Sequence, residues 1–231
     1  MTETTDWIKA SWDAGRELLR VPGAKRLGSP KTPLMVPIRS LGPAHRERIA
    51  QHLLALAPTD RYLRFGYAAS DEQVQRYAAQ LNFDRDEIFG IYNRRLQLIA
   101  MAHLAYTSTP EHSECAEFGV SVLAHARGRG YGGRLFDRAA MHARNAGVSM
   151  LFIHALSENT HMLNIARAAG ALLRREGSES EAFLELSPAS FDTRMAEAVE
   201  QQFAEIDYRL KLQAHQFWQF LKGLQAKRTG A

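Results

Sequence analysis

The segment Val120-Ser-Val-Leu-Ala-His-Ala-Arg-Gly-Arg-Gly-Tyr-Gly-Gly-Arg-Leu passes from an alternating apolar stretch, through four glycines in six residues, into a run with helical spacing. A strand that enters so glycine-dense a turn and leaves it as a helix belongs to a layered α/β arrangement. Its chemistry is also narrow. Glycines let successive backbone N–H groups turn toward one point. The following helix N-terminus adds unpaired donors and a positive dipole end, worth about 0.3–1 kcal/mol where exposed. Such a site selects an anion, and a pyrophosphate fits it. Arg127, Arg129 and Arg134 add positive charge around it, while the absence of Gly-Lys-Ser/Thr makes a P-loop a poor reading. On the preceding strand, Ala116, Phe118, Val120 and Val122 share one face, and Glu117, Gly119 and Ser121 share the other. The first face reads as core and the second does not.

Around this turn the chain reads as α/β with helical extensions. Residues 5–20 predict a helix on Trp7, Ile8, Trp12, Leu18 and Leu19, ended by a linker rich in Pro and Gly. Leu34-Met-Val-Pro-Ile predicts an edge strand, because Pro37 cannot donate to a ladder. A helix begins near Pro43, Pro58-Thr-Asp-Arg-Tyr-Leu-Arg-Phe-Gly predicts a turn and an irregular segment, and Ser70 caps another short helix. Residues 87–92 and 96–106 form a hairpin about Arg94-Arg95. Beyond the glycine turn come a helix at about 132–146, the strand Met150–Leu156, a helix over 159–169, and strands near 171–176 and 181–187. From about 192 to 225 a single helix follows. Its apolar positions Val199, Phe203, Ile206, Leu210, Ala214, Phe217, Leu221 and Leu224 advance by threes and fours. The stripe reads either as a flank packed on its own domain or as a homodimer contact.

Composition limits the setting. With 231 residues, 45% hydrophobic and 23% charged, the chain is in the globular range and long enough for a substantial core. One cysteine, Cys115, forms no internal disulfide, and no 18-residue apolar run or basic-then-apolar N-terminus is present, so a cytoplasmic protein without a membrane partner is expected. Acids beside Cys115 would raise rather than lower a thiol pKa, which points to a structural role. Of the net charge of +4, all falls in the first 50 residues, where nine Lys/Arg face five Asp/Glu. Without a dense basic stripe interleaved with aromatics, nucleic acid is not an expected partner. The nine histidines are scattered, and no metal is predicted.

The turn resembles the signature of the GNAT superfamily of acetyl-CoA-dependent N-acetyltransferases, Arg/Gln-x-x-Gly-x-Gly/Ala, which stands here as Arg127-Gly128-Arg129-Gly130-Tyr131-Gly132. A second motif is similar to the family's Asn-x-x-Ala/Met-x-x-Leu-Tyr/Ala, as Asn159-Thr-His-Met162-Leu-Asn-Ile165-Ala166, with Gly170-Ala171 in place of Gly-Phe. The Met162/Ala166 version and Asp60-Arg-Tyr-Leu-Arg-Phe also resemble bacterial protein-lysine acetyltransferase domains. The resemblance implies an α/β fold: a mixed, mostly antiparallel central sheet, splayed between its fourth and fifth strands and flanked by helices. An N-terminal helix and a long C-terminal helix are added to it. It assigns residues 34–188 to the acetyltransferase domain, 1–33 to an N-terminal extension and 189–231 to a C-terminal helical extension. Acetyl-CoA would be the cosubstrate. Main-chain groups at Val120 and Val122 would bond its pantetheine arm, and the amides of Arg127, Gly128, Arg129, Gly130, Tyr131, Gly132 and Gly133 would hold its pyrophosphate. Asn159 would bond the pantetheine side or orient the thioester, or serve simply as a helix N-cap.

Direct attack by an amine needs a neutral nucleophile, whereas an amine with a pKa near 10.4 is mostly protonated at neutral pH. Glu117 is the candidate base, matching a glutamate that serves this role in some members; the other reading is a solvated strand carboxylate. Glu114 has the wrong parity. An N–H near Val122 would polarise the thioester carbonyl. Many members place a tyrosine where Ala166 stands, so no general acid is assigned, with Tyr131 and Tyr106 among the substitutes. Tyr62, Leu63 and Phe65 precede the region where members build the acceptor wall, although core packing also explains them. The expected activity is acetyl transfer to a primary amine, on a small molecule or a protein lysine, in a ternary complex. A non-catalytic acyl-CoA-binding or sensing module is the alternative.

Overall fold

The computed structural model describes residues 35–106 and 115–229, with Glu176 and residues 221–229 as backbone only. The helix expected over 5–20, its linker and the boundary at 33 lie outside the described residues. Seven strands form one sheet in the order β1-β2-β3-β4-β5-β7-β6. They are β1 Arg39–Ser40, β2 Glu87–Tyr92, β3 Leu98–Tyr106, β4 Cys115–Val122, β5 Met150–Leu156, β6 Leu172–Glu176 and β7 Glu179–Glu185. The helices are α1 Arg46–Leu54, α2 Pro58–Phe65, α3 Asp71–Gln80, α4 Tyr131–Asn145, α5 Thr160–Ala168 and α6 Phe191–Thr229. Every strand pair is antiparallel except β4 with β5. That parallel pair is connected by α4, as a crossover requires.

Local chemistry accounts for most of these elements. The apolar runs of β2 and β3 are buried nearly throughout, as expected of strands covered on both faces. Ser70 caps α3, its Oγ accepting from the Gln73 amide while the Gln73 side chain accepts from the Ser70 amide. The core centres on Phe89, Phe118, Phe136, Leu104, Leu151 and Ile153. Phe118 meets Phe136 edge-on at 5.0 Å, which seats α4 on β4.

Three expectations change. Of the run expected as an edge strand, Leu34 lies outside the described residues and 35–38 are not strand; pairing begins at Arg39, beyond Pro37, and lasts two residues. Residues 58–65 are helical rather than irregular, with Pro58 in the first turn, Asp60 beside the positive dipole end and Gly66 closing the helix. The second face of β4 is also not free. Ser121 is buried and Gly119 lies under α2, because two minimal side chains let helices approach there. No helix among the described residues is long and apolar enough to cross a membrane.

Candidate active site

The parallel pairing of β4 with β5 lasts only three positions: Cys115 with Met150, Ala116 with Leu151 and Glu117 with Phe152. Beyond Glu117 the strands part. β4 stays paired with β3 as far as Val122, and β5 with β7 as far as Leu156, so each keeps its other neighbour. The facing main-chain groups of residues 118–122 therefore have no strand partner on the β5 side. A cleft of about 320 Å³ opens there, lined by Arg64, Glu117, Gly119, Val120, His154 and Asn159 among others.

At the far end of β4 the chain makes a short 3-10 turn and enters the glycine loop. Gly128 and Gly130 adopt φ of +74° and +73°, where a side chain is strained, and a Cβ at either would meet nothing within 4 Å. Open space above this backbone leaves room for an anion to approach the loop amides. Gly130 is the N-cap of α4 and supplies no side-chain cap, so the amides of the first turn stay unpaired until Arg134 bonds the Gly130 carbonyl. None of the described residues accepts from the amides of 128–133. At Gly132 a Cβ would stand 3.0 Å from Ile165, which sets the approach of α4 to α5, while Gly133 faces open space. Tyr131 is half-buried against the core and Arg129 is exposed. Arg127 is held by Asp60 of α2, so its charge is shared with a carboxylate. Glycines 128, 130 and 133 also have the spacing of a dinucleotide fingerprint. That fingerprint serves a parallel doubly wound sheet, and this sheet is mostly antiparallel. The turn thus fits a pyrophosphate, and the parted strands fit an extended arm leading from it.

Glu117 is exposed at the mouth of the cleft, where it meets a residue the sequence left without a role. His154 Nδ1 lies 3.5 Å from Glu117 Oε1, and His154 Nε2 lies 3.2 Å from Glu181 Oε1. The row runs across β4, β5 and β7, and only the register of strands distant in sequence brings it together. Asn159 caps α5, accepting from the Met162 amide at 3.2 Å, and its Nδ2 donates to the Leu63 carbonyl at 3.3 Å, so it also ties α5 to α2. Both readings of Asn159 stay compatible, since it lines the cleft as well. Val122 and Val120 are half-buried on the α4 side of β4.

Arg64 is a second residue without a role in the sequence. Its guanidinium lies 2.8 Å from where a Cβ on Gly119 would stand, flat against β4. It donates to Tyr77 Oη at 3.0 Å; Tyr77 in turn donates to His103 Nδ1 at 2.7 Å, and His103 Nε2 donates to Asp86 at 3.2 Å. Burial and the Arg64 charge lower the His103 pKa, which keeps the ring neutral and fixes this direction of donation. No carboxylate among the described residues pairs with Arg64. Beneath it, His52 is buried with its pKa lowered to about 4, chiefly by desolvation. Its neutral ring donates from Nδ1 to the Leu98 carbonyl at 2.9 Å and accepts at Nε2 from Ser121 Oγ at 2.8 Å.

Ala166 is buried, and no tyrosine lines the cleft among the described residues. Burial and the carboxylates of Glu87, Glu197 and Asp86 push the Tyr106 hydroxyl well above its ordinary range, which makes it a poor proton donor. No group of three His, Cys, Asp or Glu suited to a metal occurs among the described residues.

No curated protein matches the chain. Many solved structures share the fold, three of them as follows. The GNAT domain of S. lividans PAT is 19% identical with a TM-score of 0.56, covering 64% of this chain and 89% of that one. Spermidine N-acetyltransferase from Vibrio cholerae, solved with CoA and spermine, is 14% identical with a TM-score of 0.52, covering 65% and 95%. Ribosomal-protein-alanine N-acetyltransferase from Brucella melitensis is 16% identical with a TM-score of 0.50, covering 64% and 99%. The sequence itself matches the Acetyltransferase (GNAT) family over residues 50–171, which runs from the middle of α1 to just past α5 and takes in the parted strands and the glycine turn. With that match over more than half its length, and with this sheet, the chain belongs to the GNAT acetyltransferase family.

Proposed function

We propose that the protein transfers the acetyl group of acetyl-CoA to a primary amine by direct attack within a ternary complex. The observation that carries this reading is the parting of β4 from β5 after Glu117, with unpaired amides waiting at the end of the same strand. The residues fit the cosubstrate. The amides of 128–133 and the α4 N-terminus would hold its pyrophosphate, and main-chain groups at Val120 and Val122 would hold its pantetheine arm. When bound, acetyl-CoA supplies the activated acyl carbon. Glu117, at the open mouth of the cleft, takes the proton from the incoming ammonium and leaves a neutral nucleophile. His154, beside Glu117 and in contact with Glu181, carries that proton onward to solvent. A main-chain N–H near Val122 would polarise the thioester carbonyl. As the C–N bond forms the C–S bond breaks, and coenzyme A leaves as a thiolate that takes a proton from solvent while the nitrogen gives up its second one.

The acceptor is an amine on a small molecule or a protein lysine. The guanidinium of Arg64 on the cleft wall, which no carboxylate among the described residues neutralises, opposes a second positive charge close to the reacting amine. That favours a monoamine or a lysine side chain over a polyamine. The protein acts within the cytoplasm, in keeping with its single cysteine.

Thiol release from acetyl-CoA, measured against a panel of amines and lysine peptides beside a calorimetric titration with coenzyme A, tests this directly. Acceptor-dependent release is the expected result. Glu117→Gln is expected to lower kcat by about 10²-fold with coenzyme A affinity nearly unchanged. Binding without release from any amine would instead favour the sensing module, and no binding would overturn the reading of residues 120–133.

A further inference from the structure

Helix α6 is built the wrong way round for a helix that only covers its own domain. The face turned to the domain is largely polar. Glu197 accepts from Arg138 at 2.7 Å and from Asn145 at 2.6 Å and pairs with His142, Tyr208 accepts from Arg48 at 2.6 Å, and Lys211 donates to the Tyr92 carbonyl at 2.9 Å. The face turned to solvent is apolar: Val199, Phe203, Ile206, Leu210 and Phe217 are all exposed, with Leu210 at 60%. At 3.6 residues per turn these positions fall in one stripe, opposite Glu197 and the buried Ala204. An apolar stripe of this length on a water-facing surface marks a contact.

We infer that the stripe is a homodimer interface in which two copies of α6 pack antiparallel and cross at Leu210. Three features select a second copy in this orientation. The stripe is its own complement under reversal about Leu210: Phe203 then faces Phe217, Ile206 faces Ala214, and Leu210 faces itself. Charge follows the same reversal. In the sequence of α6 every Asp and Glu precedes residue 208, and every Lys and Arg except Arg194 follows it. Antiparallel packing therefore lays acidic half on basic half, whereas parallel packing stacks like charge on like. Arg94 and Arg95, beside Ala214 and Trp218, extend the basic side of the groove that the partner's acidic half would cross. Length and area are also sufficient. The helix has 39 residues. It is thus roughly 58 Å long at 1.5 Å per residue. Two phenylalanines and three large aliphatics in the stripe, with exposed Trp218 flanking it, approach the ~800 Å² per partner of a stable interface.

Sedimentation of the full chain gives the first test. A mass twice the chain's 25.9 kDa is expected at micromolar concentration, and a monomer at every concentration overturns the proposal. Ile206→Glu with Leu210→Glu is expected to yield a monomer with unchanged circular dichroism, since both side chains already face water within one copy. A dimer that survives this pair of changes places the contact elsewhere and overturns the assignment. Register is read by oxidation. Leu210→Cys is expected to form a covalent dimer, while Phe203→Cys forms one only when mixed with Phe217→Cys. Self-crosslinking of Phe203→Cys as efficient as that of Leu210→Cys would show parallel packing and refute the antiparallel arrangement.

Discussion

Gly130 combines two constraints at one residue. Its φ of +73° lies where a β-branched side chain is strained, and the space above it is open. Gly130→Val is therefore expected to cost about 1–2 kcal/mol of stability through the backbone alone, without a clash. It is expected to weaken coenzyme A binding at least tenfold, because the same shift in φ turns the amides of the cradle away from one another. Calorimetry beside thermal denaturation separates the two effects. Intact affinity in a folded variant would show that the loop does not hold the pyrophosphate. The residues of this loop were legible in the sequence because their chemistry is local: glycine spacing and a following helix specify the turn without help from the rest of the chain. His154, Arg64 and Ser121 were not legible. Each acquires its surroundings from an element distant in sequence, His154 by strand register, Arg64 by the absence of a Cβ on Gly119, and Ser121 by the ring of His52.

Elements behaved according to their length and signals. β4, α4 and β5 fall within a residue or two of expectation because each has an unbroken period, whereas α2 was hidden by Pro58 and Thr59, which also suit a turn, and by its eight residues. Pro at the first turn, Asp60 two residues on and a closing Gly66 were the signals that would have found it. Helix α6 was legible as a helix, and its stripe was visible, but which side faces the domain was not. The sequence shows the apolar positions, and the domain instead takes the polar ones. The hinge of that attachment is Glu197. Burial opposes its charge, but hydrogen bonds from His142, Asn145 and Arg138 outweigh this and hold its pKa down at about 2. Since the folded value lies below the unfolded one, the stabilisation is full above about pH 4.5 and is lost as pH falls toward 2. A depression of this size corresponds to at most roughly 3 kcal/mol. Glu197→Gln is expected to lower the Tm at pH 7, with the gap from the wild type closing by about pH 2. A gap that persists unchanged at acid pH would show that packing, not charge, fastens the helix.

Across the whole molecule, the sheet divides into β1–β4 and β5–β7, joined by the three paired positions between β4 and β5. Such a narrow seam would let two halves unfold separately. The chain prevents this by its path: after β7 it returns as α6 to the first half, with Glu205 on Arg39 of β1, Tyr208 on Arg48 of α1 and Lys211 on the end of β2. Denaturant unfolding is accordingly expected to be a single transition, with far-ultraviolet and near-ultraviolet dichroism sharing one midpoint. Separate midpoints would show independent halves. The same return path has a consequence for binding. With both halves fastened, the gap beside residues 118–122 does not have to be pried open. The cost of leaving five residues of β4 without a neighbour on the β5 side is met during folding. A ligand arriving there finds donors and acceptors already separated and already in line, so its affinity is not reduced by any work of parting strands.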